Sequence, residues 1–162
     1  MTEKNVQLLY KDYFEDLRYI SDGQLKKIHI FYNHYYNNIL NKVNINEEIN
    51  NIFISNIVNE DNKIEYENLW FFTESYACEL SKFDLEDNYD IAFYKNNIIR
   101  ISIKKEKYLP EYNPRQTSKE SRLYIETSLK NGLGMFFKAS DVNCYYLFKI
   151  LEEILLLNIV TT

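Results

Sequence analysis

Val6, Leu9, Tyr10, Tyr13, Phe14 and Leu17 recur three and four residues apart, the spacing that aligns side chains on one face of a helix. Thr2, just ahead of them, has the hydroxyl of an N-cap. A break at Ser21-Asp22-Gly23 offers a fresh cap, and Leu25, Ile28, Phe31, Tyr32, Tyr35, Tyr36, Ile39 and Leu40 then resume helical spacing. Inside that segment Lys27-Ile28-His29-Ile30-Phe31-Tyr32 also alternates, so helix and strand both fit there. Ile52, Ile54 and Ile57 predict a strand over 51–58, closed by the turn cluster Asn59-Glu60-Asp61-Asn62. The aromatic run NLWFFT (68–73) is too short for a free-standing helix and predicts a buried strand; residues 74–83 fit either element.

The clearest alternation begins at Tyr89. Tyr89, Ile91 and Phe93 alternate with Asp90, Ala92 and Tyr94, and Ile99, Ile101 and Ile103 alternate with Arg100, Ser102 and Lys104. Asn96-Asn97 between them predicts a tight hairpin turn. Residues 109–121, LPEYNPRQTSKES, hold both prolines and predict the longest exposed loop. Leu123, Ile125 and Leu129 alternate with Arg122, Glu126 and Ser128, and Asn131-Gly132 turns a second hairpin into Leu133, Met135 and Phe137. Ser140 or Asp141 caps a last helix over 141–157, apolar on most faces and so expected to lie on a sheet.

These elements predict an α+β protein of one domain, residues 1–162. A helical segment over 1–42 precedes residues 50–157, where six to seven antiparallel strands form a bent sheet or partial barrel under the C-terminal helix. A chain of 162 residues supplies a single core, burying roughly 70% of its unfolded surface. With 46% hydrophobic residues, fifteen Tyr and ten Phe, global disorder is excluded. Twenty Asn and abundant Ile, Lys and Tyr are residues of A/T-rich codons, which points to a bacterial or phage genome. The first residues carry acids and no unbroken apolar stretch, so no signal peptide is expected and the location is expected to be cytoplasmic. Lys149, Glu152, Glu153 and Asn158 interrupt the most apolar stretch, so no membrane span is expected. Cys78 and Cys144 are expected to be small buried thiols.

Charge divides along the chain. Residues 1–90 hold 17 acids and 8 bases, net −9, whereas residues 91–162 hold 7 acids and 11 bases, net +4. An acidic half repels nucleic acid and attracts basic partners. The histidines, His29 and His34, stand about 140° apart on a helix and do not share a metal easily. No nucleophile elbow and no phosphate cradle is present, because Gly132-Leu133-Gly134 belongs to a hairpin. Neither a cofactor nor a metal is expected. Asp84, Glu86, Asp87 and Asp90 cluster in DLEDNYD without the spacing of a calcium loop, and together with Tyr89 form the candidate contact for a basic protein partner. Lys104, Lys105, Lys107, Arg115, Lys119 and Arg122, beside Tyr108 and Tyr112, form a candidate site for an anion.

Strands around NLWFFT, YDIAFYK, IIRISIKK, SRLYIETSL and GLGMFFKAS, followed by the helix DVNCYYLFKILEEIL, resemble the second half of a pleckstrin-homology-like domain. The resemblance covers roughly residues 50–157 and is architectural, leaving the helical segment 1–42 as an addition. It implies antiparallel strands bent into a partial barrel plugged at one end by the C-terminal helix, and a binding role, since such domains mostly bind lipid headgroups or peptides and are rarely catalytic. The leading expectation is therefore a non-catalytic interaction protein, of immunity, antidote or regulatory type, covering a basic protein partner with its acidic, Tyr-rich face. Self-association stays open. The alternative is a pleckstrin-homology-like module holding a lipid headgroup or phosphopeptide on the 104–122 loop.

Overall fold

Asn5 opens the first helical turn: its side-chain oxygen accepts from the Leu8 amide, and the helix α1 (Val6–Leu9) is followed at once by α2 (Lys11–Asp16). Thr2, the expected cap, lies outside the residues that the computed structural model describes, namely 3–18, 20–81 and 89–160. At α3 (Asp22–His34) the predicted break is a capping box: Ser21 Oγ accepts from the Gln24 amide and the Gln24 side chain accepts from the Ser21 amide. The helix continues through a wider turn, Tyr35–Ile39, to Leu40–Lys42. Helical spacing prevails over alternation here: Ile28, Tyr32, Tyr35, Tyr36 and Leu40 are buried, while Ile30, which a strand would place beside Ile28, is 52% exposed.

The strands are β1 (Asn51–Val58), β2 (Ile64–Phe72), β3 (Tyr76–Ser81), β4 (Asp90–Lys95), β5 (Ile98–Glu106), β6 (Arg122–Leu129) and β7 (Gly134–Ser140). They form two antiparallel sheets, ordered β1-β2-β3-β4 and β5-β6-β7. The sheets do not close, which corrects the expected bent sheet or partial barrel. The chain also departs from expectation at Asn96-Asn97, which forms no hairpin. The Asn96 amide donates to Ser75 O (2.7 Å) in the first sheet's turn, and Asn97 O accepts from the Lys130 amide (2.9 Å) beside the second sheet. Alternation reports which side chains face inward, and a corner between sheets preserves it as well as a hairpin does.

The first sheet is buried on both faces where β1, β2 and β3 meet, and opens to solvent along β4. Trp70 lies opposite Phe53 and Glu79 in the ladder, and its ring meets Phe137 of the second sheet at 4.4 Å between centroids. The next residue, Phe71, points the other way, onto Tyr32 of α3 at 5.6 Å, where Tyr35 also meets Phe93 at 6.4 Å. Consecutive apolar residues in LWFF thus serve two cores, as a doubly covered strand requires.

No backbone ladder joins β1 to β7. The Asn56 side chain stands in for one: its oxygen accepts from the Ser140 amide (2.8 Å) and its nitrogen donates to Ser140 O (3.4 Å). Asn143, at the start of the C-terminal helix, extends the network. Its amide nitrogen donates to Ile54 O (2.7 Å) and Asn56 Oδ1 (3.0 Å), and its oxygen accepts from the Tyr13 hydroxyl (2.9 Å), which in turn accepts from the Ile54 amide. Helix α2, both sheets and the C-terminal helix therefore meet in one buried polar cluster. The segment 3–18 is part of the core rather than an appendage, since Val6, Tyr13 and Leu17 are buried in it.

The C-terminal helix runs Asn143–Ile150 and continues through a wider turn, Leu151–Leu155, and a 3₁₀ turn, Leu156–Asn158. Neither expected cap serves it: Ser140 ends β7, and Asp141 takes a left-handed φ of 56°. At the β6–β7 turn, Gly132 adopts a φ of 89°, and a Cβ at Gly134 would meet Thr127 O at 2.6 Å. Gly134→Ala is expected to cost about 1–3 kcal/mol, because strand backbone must shift to admit a methyl group. A urea midpoint unchanged from the parent would refute that close approach.

Candidate functional site

The 107–121 loop is an ordered structure. Tyr108 is buried, and its hydroxyl donates to Pro114 O (2.7 Å); Ser121 Oγ donates to Lys107 O (2.8 Å) and accepts from the Ser118 amide (2.9 Å). Its cations are mostly engaged. Lys104 pairs with Glu106 (3.1 Å), Lys105 with Glu111, and Lys107 with Glu120 (2.7 Å). The two lysines hold the Glu111 and Glu120 carboxyls below the ordinary range. The Arg115 guanidinium sits 4.7 Å over the Tyr145 ring, and Arg122 donates to the carbonyls of Lys119 (2.6 Å) and Ser121 (2.8 Å). Of the six cations read from the sequence, only the Lys119 ammonium is without a partner among the described residues.

Lys119 faces a partly open recess of about 380 Å³, where Arg18 and Lys63 join it. Arg18 follows α2, and its carbonyl accepts from the buried Tyr66 hydroxyl, which fixes the backbone there. Lys63 is set by an Asn59 turn between β1 and β2: Asn59 Oδ1 accepts from the amides of Asp61 (3.0 Å) and Lys63 (2.9 Å). Val58 and Ile64 form the apolar wall, and Asn62 and Asp141 line the remaining sides. Neither Arg18 nor Lys63 has an ion pair among the described residues. Three cations against one carboxylate leave a formal charge of +2 within the recess. The Tyr66 hydroxyl is pushed upward in pKa, first by burial and then by the Asp141 charge.

The acidic candidate site is described only at its end, because Asp84, Glu86 and Asp87 lie outside the described residues. Tyr89 packs edge-on against Phe31 at 4.8 Å, and Asp90 is exposed at the first position of β4. Many carboxylates of the acidic half serve the fold. Glu47 accepts from Thr73 Oγ1 (2.7 Å), the Ser75 amide (3.0 Å) and Ser75 Oγ (2.8 Å); burial raises its pKa, but these bonds outweigh it and lower the carboxyl overall. Glu48 holds the Tyr36 hydroxyl, Glu79 holds Asn68 and Tyr94, Glu67 pairs with Lys138, and Glu3 pairs with His29.

Among the described residues no cysteine, serine, threonine or histidine lines the recess. Cys78 and Cys144 are buried, and burial pushes each thiol up to about 12, far from the thiolate that reacts. Among the described residues no three His, Cys, Asp or Glu side chains converge to hold a metal, and no helix is long and apolar enough to cross a membrane. Arg18 and Lys63 escape sequence reading because each is a lone cation in the acidic half, distant in the chain from the other and from Lys119. The turn cluster around Lys63 was the one local signal. No family model matches the chain, and neither a curated protein nor a solved structure does.

Proposed function

We propose that the protein is a non-catalytic binding module whose recess at Arg18, Lys63 and Lys119 holds an anionic small molecule. The observation that carries this reading is that three cations without a side-chain partner among the described residues line one concave, partly apolar site, while the other cations of the neighbouring loop are engaged by carboxylates, a ring and carbonyls. Three cations outnumber the one carboxylate among the described lining residues, and an anion offsets the excess positive charge while the low-dielectric wall focuses the field on it. The anion site then moves from the Lys104–Arg122 run to a recess that shares only Lys119 with it.

The thermal midpoint is expected to rise with inorganic phosphate over chloride at matched ionic strength; a ligand at a hundred times its Kd adds about 2.7 kcal/mol. Replacing Arg18, Lys63 and Lys119 together by Gln should remove the rise, whereas the same change at Lys104, Lys105 and Lys107 should leave it. Equal responses from the two triple variants would overturn the assignment.

A protein partner remains a second reading, favoured by the 107–121 loop itself. It presents Leu109 (64% exposed) and Tyr112 (87% exposed) from a rigid frame, and such preorganised apolar anchors are what interfaces use.

A further inference from the structure

We infer that the recess selects a phosphomonoester of a polyol or sugar over a bare anion, with Asp141 as the selecting residue. The inference rests on the anion reading of the recess and goes beyond it to the ligand's class. A carboxylate accepts hydrogen bonds and donates none, so Asp141 opposes an anion without an O–H, such as sulfate, and accepts from one that brings a hydroxyl. Its side chain makes no hydrogen bond or ion pair among the described residues, so its carboxylate is an open acceptor in the wall. Nor is its position incidental. The backbone amide of Asp141 donates to Ser121 O (3.1 Å) and its carbonyl accepts from the Cys144 amide (3.0 Å), which hold it at a left-handed φ of 56°. Backbone of that kind in a residue with a Cβ marks a position fixed by its surroundings.

A ligand matched to these walls must bring an anion for Arg18, Lys63 and Lys119 and a hydroxyl donor for Asp141, and Asn62 can meet a hydroxyl as donor or acceptor. It must also bring a C–H face for Val58 and Ile64. The formal +2 of the site matches a phosphomonoester, which carries roughly −1.5 to −2 at neutral pH. A volume of about 380 Å³ falls within the range of small-molecule sites, roughly 300–1,000 Å³, and leaves room for a carbon skeleton beside the phosphate.

The test compares sulfate, a hexose 6-phosphate and the free hexose by calorimetry on the whole chain and on Asp141→Asn. Asn tolerates the left-handed backbone, and Asp141→Gly, which tolerates it better, serves as a second variant without the carboxylate. The parent is expected to favour the hexose phosphate over sulfate, a dianion with no O–H to donate, by about tenfold or more. Both variants should bind sulfate at least as tightly as the parent while the preference collapses toward unity. Equal binding of the two anions by the parent, or a preference untouched by both substitutions, would overturn the inference and leave the anion reading standing. Failure of both anions to bind would overturn both readings. Retention on phosphatidylcholine vesicles only when they carry phosphatidylinositol 4-phosphate, with release by the free ester, assigns the ester to a lipid headgroup; binding of the free ester without retention assigns it to a soluble metabolite.

Discussion

Phe137→Ala is expected to lower the unfolding free energy by about 3–5 kcal/mol, as truncation of a fully buried aromatic does when its surroundings collapse only in part. Phe137 is the second sheet's main insertion into the first: its ring lies 4.4 Å from Trp70, 6.0 Å from Phe72 and 6.2 Å from Phe53, and none of the four is measurably exposed. The sheets share no ladder, so this stack is much of what holds their faces together. Trp70 is the chain's one tryptophan and reports the outcome directly. Its emission should be that of a buried indole in the parent and move to the red across the urea transition, at a lower midpoint in the variant. A loss under about 1 kcal/mol would mean that the sheets do not share a core.

Asn143→Ala is expected to cost about 2–4 kcal/mol, because it removes three hydrogen bonds and leaves Ile54 O buried and underbonded. The same cluster predicts non-additivity. Tyr13→Phe removes a hydroxyl bonded to both Asn143 and the Ile54 amide, so the double variant should lose clearly less than the two single losses combined. Strict additivity in chemical denaturation would show that the hydroxyl and the amide act separately.

Strand β3 (Tyr76–Ser81) was not legible in the sequence, since 74–83 fit either element, whereas most strand positions and the two long helical segments were, because burial writes its period into the residues. The Asn96-Asn97 corner was illegible for the same reason: inward and outward positions continue across it, and only backbone partners at Ser75 and Lys130 decide that the sheet ends there. Asparagine misled differently. Its abundance reads as codon bias, yet the Asn33 amide exchanges two hydrogen bonds with the Lys4 backbone and the Asn56 amide does the same with Ser140. A carboxamide carries the donor and acceptor of a peptide group, and which copies use them depends on where the fold leaves unpaired backbone. The basic run was legible as charge and not as a site, because Glu106, Glu111 and Glu120 stand close enough to neutralise it. The recess was not legible at all, since its cations come from three distant segments.

The buried polar cluster also sets an order of events. Hairpins such as β6–β7 pair residues close in the chain and can form as soon as both strands exist. The bonds from Asn143 span 130 residues to Tyr13 and 89 to Ile54. Contacts of such sequence separation are slow to close. During synthesis Tyr13, Ile54 and Asn56 lack these partners until Asn143 has emerged, long after they have. Helix α2 is therefore expected to gain full protection from hydrogen exchange in step with the C-terminal helix rather than with β1 and β2.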